Sequence, residues 1–209
     1  MADKDLYAFT CPQCQTEGTV DAIGSVNVDK QPEMRAKIED LSLFHWKCPH
    51  CGKVSLVLQP CLYHDMTEEF MVWFSPSGKE QPPHAKNIAQ LSRYRLRITD
   101  SPNTFREKIN ILERNLDDRA VELVKFVLNL QLERDGMDLV DLVFKEMRDG
   151  NFVFVAVQSD GSEQTLETPS AAYEKFSQDM REIYLAPEGE FAQVDMEWAR
   201  EVISLLHTM

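Results

Sequence analysis

Apolar positions along the chain follow two spacings, and each predicts its own kind of element. Short alternating or unbroken apolar runs mark strands, and repeats of three and four mark helices. Leu6–Thr10 and residues 18–28 are strand-like and flank a first cysteine pair. Residues 44–47 run into a second pair, and residues 53–59 leave it with β-branched and apolar side chains. Phe70–Phe74 is wholly apolar and stops at Ser75-Pro76-Ser77-Gly78, which predicts a buried strand ending in a turn. Tyr94, Leu96 and Ile98 alternate with Arg93, Arg95 and Arg97, giving a strand with one apolar and one basic face.

After Ser101-Pro102 the spacing changes. Phe105, Ile109, Leu112, Leu116, Ala120, Leu123/Val124 and Val127 form the stripe of an amphipathic helix. Asn115-Leu116-Asp117-Asp118 divides it, with Asp117 placed to cap the second half. Further on, residues 138–148 read as a short amphipathic helix ended by Gly150. Residues 152–158 and 163–167 flank Ser159-Asp160-Gly161-Ser162, a hairpin signal. Thr168-Pro169 reads as an N-cap followed by proline at the first helical position, opening a helix to about Tyr184. Asp195 caps a last helix over residues 196–207. The fold class is α+β, in two regions. Residues 1–133 hold the cysteines, several strands and a long helical segment; residues 134–209 form a smaller region of helix, hairpin and two helices.

With 209 residues, 43% of them hydrophobic, the chain can bury a sizeable core within one or two domains. No apolar run approaches the ~20 residues needed to span a bilayer, so no membrane role is expected. Met1-Ala2-Asp3-Lys4-Asp5 is charged and leads into no apolar segment of signal-peptide length. A cytoplasmic location is the expectation, where cysteines serve metals or redox chemistry more often than disulfides. A compact, linker-poor chain also fits a bacterial source. The formal net charge of −13 is uneven: residues 1–66 carry 6 basic and 9 acidic groups, residues 67–132 carry 10 and 9, and residues 133–209 carry 6 and 17. Nucleic-acid binding draws on neutralising phosphates, so the acidic last third disfavours that partner.

Cys11-Pro12-Gln13-Cys14 and Cys48-Pro49-His50-Cys51-Gly52 are two C-P-x-C units. A gap of two residues lets both thiolates of a tight turn face one ion, and two such turns supply the four-sulfur shell that zinc prefers. Gly52 suits a positive φ after the second ligand, and Gln15 holds the matching place in the first turn. The insertion between the pairs exceeds the usual ribbon spacing of about 15–20 residues, which loop-closure entropy tolerates. One structural zinc ion on Cys11, Cys14, Cys48 and Cys51, in a zinc-ribbon-like β module, is the expectation. A redox dithiol, a disulfide pair or four core thiols are the other readings of the same residues. Four thiolates leave no open position for water, so the metal would be structural.

The two C-P-x-C units, Gly24-Ser25-Val26-Asn27-Val28 between them and Tyr63-His64-Asp65-Met66 after them resemble the CpXC domain of bacteria and archaea. Leu96-Arg97-Ile98, and Leu116-Asp117-Asp118-Arg119 with Glu122, are similar to its later elements. The resemblance covers about residues 8–130, strengthens the zinc reading, and implies no biochemical role.

The remaining polar groups have both a functional and a plain reading. Cys61, His64 and Asp65 could serve as nucleophile, base and orienting carboxylate; the plain reading packs Cys61 and Tyr63 inward. His64 and Asp65 are thus the candidates for a hydrolase-like site, with no catalytic residue assigned. His45 and His50 could replace a thiolate ligand. Arg93, Arg95 and Arg97 could meet phosphates, or pair internally with Asp117, Asp118 or the acidic region. Asp117, Asp118, Arg119 and Glu122 could hold a divalent cation, but helix capping and an Arg119–Glu122 pair are simpler. The methionines and aromatics read as core. With no glycine-rich phosphate loop, H-E-x-x-H or G-x-S-x-G present, a non-enzymatic module that binds a protein partner or itself is the leading expectation.

Overall fold

The computed structural model describes residues 6–83, 91, 93–182 and 190–206. The chain begins with an antiparallel hairpin of β1 (Leu6–Thr10) and β2 (Glu17–Asp21), in register from Leu6↔Asp21 to Thr10↔Glu17. A short strand β3 (Ser25–Asn27), a helix α1 (Met34–Glu39) and a 3-10 turn (Ser42–Phe44) lead to a second hairpin, β4 (His45–Lys47) and β5 (Val54–Leu56). Strands β6 (Cys61–Asp65), β7 (Phe70–Phe74) and β8 (Arg95–Thr99) join β3 in a four-stranded mixed sheet of order β3-β6-β7-β8.

As its unbroken apolar run predicts, β7 is buried and central, and Cys61 and Tyr63 on β6 point into the same core. Phe44, Phe74 and Phe105 pack on one another there, with ring centroids 5.2–6.3 Å apart. Phe105 belongs to α2 (Pro102–Glu113), which starts at Ser101: its hydroxyl accepts the Thr104 N–H, and Thr104 bonds back to the Ser101 N–H. Asn115, at φ 54°, turns the chain out of α2. Asp117 then opens α3 (Asp118–Arg134) by accepting the Arg119 N–H.

Residues 138–148 are not a helix but the long strand β9 (Leu139–Arg148). Its apolar residues fit both periods, and short apolar windows do not separate helix from strand. The deciding signal is Asp149-Gly150. Both residues have positive φ, 48° and 80°, and Asn151 pairs with Arg148 across them. That is a two-residue hairpin turn of the twist antiparallel strands prefer, not a helix cap. Thus β9 pairs with β10 (Asn151–Gln158), which pairs with β11 (Glu163–Pro169) through the expected turn at 159–162. Thr168-Pro169 does not open a helix either. Both residues belong to β11, an edge strand that tolerates proline, and α4 (Ala171–Glu182) begins just beyond. Tyr184 and His207 lie outside the described residues. The last helix, α5 (Met196–Leu206), is capped by Asp195, whose carboxylate accepts the Trp198 N–H.

Helix α3 carries two buried faces. Val121 and Val124 join Ile111 on the sheet residues Leu142, Phe144, Phe152 and Phe154. Leu123 and Phe126 meet Met180, Ala199 and Val202 of α4 and α5. Residues on both sides of position 133 therefore share two of the buried clusters. None of the described helices is long and apolar enough to cross a membrane.

Candidate metal centre

The two hairpins β1–β2 and β4–β5 each end in a turn that carries a cysteine pair, and the two turns share one backbone pattern. In the first, Gln15 N–H donates to Cys11 C=O at 2.9 Å and Cys11 N–H to Thr16 C=O at 2.9 Å. In the second, Gly52 N–H donates to Cys48 C=O at 3.0 Å and Cys48 N–H to Lys53 C=O at 2.8 Å. The residue after the second cysteine is left-handed in both, Gln15 at φ 58° and Gly52 at φ 73°. Gln15 thus adopts the conformation that glycine holds in its counterpart, at a cost of about 1–2 kcal/mol.

The four Sγ atoms lie within 4.8 Å of one another, and no other His, Cys, Asp or Glu joins the cluster among the described residues. His45 and His50 are exposed and outside it. Cys11 Sγ is 3.7 Å from Cys51 Sγ, and Cys14 Sγ is 3.6 Å from Cys48 Sγ. These separations far exceed the ~2.05 Å of a disulfide bond and suit a tetrahedral shell around a single ion. Side-chain and backbone contacts with Thr16 hold the Cys14 thiol down at about 5, whereas at Cys51 the Lys53 backbone bond is outweighed by burial and the neighbouring thiols, which push the thiol up to about 12. Cys11 and Cys48 are buried against Trp46, and Phe9 meets the Trp46 ring edge-on at 5.0 Å. Gly18 leaves room for that indole: a Cβ there would lie 2.6 Å from Trp46 Cζ2. The four cysteines can therefore hold one metal ion, on a base of packed aromatic rings.

His64 and Asp65 are neighbours on β6, so their side chains leave opposite faces of the sheet. Asp65 is wholly buried. One oxygen accepts the Thr67 and Glu68 N–H groups at 3.0 and 2.9 Å, and the other meets Arg35 at 3.1 Å. Arg35 also bonds Glu113 at 2.8 Å, and Tyr63 donates its hydroxyl to the same carboxylate. His64 is half-buried, its Nε2 3.4 Å from Tyr94 Oη, and burial lowers its pKa. Burial pushes the Cys61 thiol up to about 12, away from a reactive thiolate. These three residues are not brought together as nucleophile, base and orienting acid.

The arginines of residues 93–97 do not form an exposed ladder. Arg93 is exposed, whereas Arg95 donates to Leu112 C=O at 3.4 Å and Leu116 C=O at 3.1 Å, capping the end of α2. Arg97 is buried and grips Asp118 with two bonds of 2.7 and 2.9 Å. Arg119 pairs with Asp117 at 2.8–2.9 Å, and Glu122 with Lys108 and Lys125, so the expected Arg119–Glu122 pair gives way to these three.

Sequence reasoning missed most of this buried ionic network. Lys108 bridges Asp118 at 3.2 Å and Glu122 at 3.3 Å, and donates to Val194 C=O at 2.8 Å. Lys125 holds Glu107 at 2.9 Å, and the other Glu107 oxygen accepts the Phe144 N–H at 2.5 Å. Three cations and three carboxylates neutralise one another, so none of these groups is left as an isolated buried charge. The available signal was the position of Lys108 and Lys125 on the apolar stripes of their helices, one turn from Phe105 and Val121 respectively.

Fold and site together define a mixed α+β protein with a four-cysteine cluster built from two equivalent turns. The CpXC protein family matches residues 9–125, and the chain belongs to that family. No curated protein and no solved structure matches it.

Proposed function

We propose that Cys11, Cys14, Cys48 and Cys51 hold one structural zinc ion in a zinc-ribbon-like module, and that this module binds a protein partner or a second copy of itself without a reaction of its own. The spacing of the sulfurs carries the metal assignment. With zinc–sulfur bonds of about 2.3 Å, neighbouring sulfurs of a tetrahedron lie ~3.7–3.8 Å apart, against 3.6 and 3.7 Å here. A full set of four thiolates leaves no position for a bound water, so zinc would fix the two hairpins and supply no Lewis-acid chemistry.

A binding role is supported by large apolar side chains exposed on these hairpins: Leu6, Tyr7, Val54 and Leu56. Buried, satisfied Asp65 and the high thiol pKa of Cys61 give a hydrolytic role no support. Co-purification of the zinc-loaded chain with cellular protein, followed by native mass measurement, tests the reading. A defined complex or a self-associated species is expected, and a strictly monomeric chain with no partner contradicts it.

A further inference from the structure

The β4–β5 hairpin presents one face and one edge that the other described residues do not cover. Bonds from Cys48 N–H to Lys53 C=O and from Val57 N–H to Phe44 C=O fix which residues of β5 face β4. In an antiparallel pair these alternate, so Lys53, Ser55 and Val57 turn their backbone groups toward β4, whereas Val54, Leu56 and Leu58 turn theirs away. Among the described residues the sheet stops at two strands, which leaves β5 as an open edge.

The same three residues carry the exposed face. Val54, Leu56 and Leu58 are 48%, 46% and 39% exposed, while Val57 on the opposite face packs toward Trp46 and the cysteines. Lys47 stands opposite Val54 and His45 opposite Leu56, both exposed. The chain has a net charge of −13, yet residues 41–64 contain Lys47 and Lys53 and not one Asp or Glu. An apolar face on a hairpin whose own formal charges, Lys47 and Lys53, are both positive, beside an open backbone edge, is complementary to an extended chain with apolar and acidic side chains. A second copy fits less well, because its own β5 edge offers no carboxylate to meet Lys47 or Lys53.

We infer that the open edge of β5 docks an extended acidic and apolar segment of a partner protein, added as a third strand. Its apolar side chains lie on Val54, Leu56 and Leu58, and its carboxylates lie within reach of Lys53 and Lys47. This rests on the binding-module reading and specifies the surface and the chemistry of the partner.

Selection of a random peptide library on the full-length zinc-loaded chain tests it, followed by titration of the enriched peptides as synthetic probes. Enriched sequences should combine Asp or Glu with alternating apolar residues. Their affinity should fall at least tenfold with Leu56→Glu and with the double charge reversal Lys47→Glu/Lys53→Glu, and weaken with added salt. Zinc content checks that each variant is folded; because both lysines are exposed, the charge reversal remains decisive should Leu56→Glu lose metal. Peptides without acidic bias, or unaffected by both variants, overturn this docking site and leave the binding role standing. Self-association abolished by Leu56→Glu replaces the peptide with a second copy, which also overturns the inference but not the role. No enrichment together with a monomeric, partnerless chain overturns both.

Discussion

Asp118 shows how tightly single residues are specified here. Its buried carboxylate receives two bonds from Arg97 and lies 3.2 Å from Lys108. Burial alone would raise its pKa, but Arg97 and Lys108 outweigh that and hold it well below the usual aspartate range. Removing one member of a buried pair strands the other charge, so Asp118→Ala should cost about 3–5 kcal/mol in denaturant unfolding. A cost under about 1 kcal/mol, typical of an exposed pair, would contradict the network. The sign of the pH effect follows from the same shift. A carboxyl held low in the folded state stabilises the fold fully above its ordinary value of 3.8, and that stability is lost as pH falls below it. Asp118→Asn should therefore flatten the acid limb of stability against pH. Gly18 is constrained by shape instead. Gly18→Val places a branched side chain where Trp46 Cζ2 already lies, and should cost about 1–3 kcal/mol with a shift in indole fluorescence. The cysteines were legible in sequence because their chemistry is local to each turn, whereas most of the charge network was not, because its members come from three elements and meet only through tertiary packing.

At the scale of elements, the turns decide more than the apolar periods. Gly150 holds φ 80° in the β9–β10 turn with open space around its Cα. Gly150→Ala should therefore cost only the backbone strain, about 1–2 kcal/mol, and leave the sheet register unchanged. A loss of several kcal/mol, or altered strand pairing by amide exchange, would show that something other than φ governs this turn. The comparison explains where sequence reading succeeded. Phe70–Phe74, the helix beginning after Ser101-Pro102 and the break at Asn115 follow from signals contained in a few residues. Residues 138–148 fit a helix and a strand equally well by period, and only pairing with β10 across Asp149-Gly150 selects the strand. Thr168-Pro169 carries the signature of a helix start, but its pairing with Phe152 and Asn151 keeps it in the sheet.

Across the whole molecule, the family region and the acidic last third share buried surface. Ile111, Val121 and Val124 pack against Phe144, Phe152 and Phe154, and Lys108 and Glu107 bond the backbone of Val194 and Phe144. A chain ending at residue 133 would expose that apolar cluster and remove the backbone partners of Lys108 and Glu107. It should lose cooperative unfolding, and a fragment that melts as sharply as the intact chain would contradict this.

The metal is the centre of the molecule's proposed role, and its measurement is direct: elemental analysis of the purified chain, with thiol titration before and after chelation. One zinc per chain is expected, with Cys11, Cys14, Cys48 and Cys51 shielded until the chelator removes the metal and Cys61 reacting only on unfolding. A chain free of metal, with those four thiols reactive or joined as disulfides, would contradict the structural zinc and return the two turns to a redox reading.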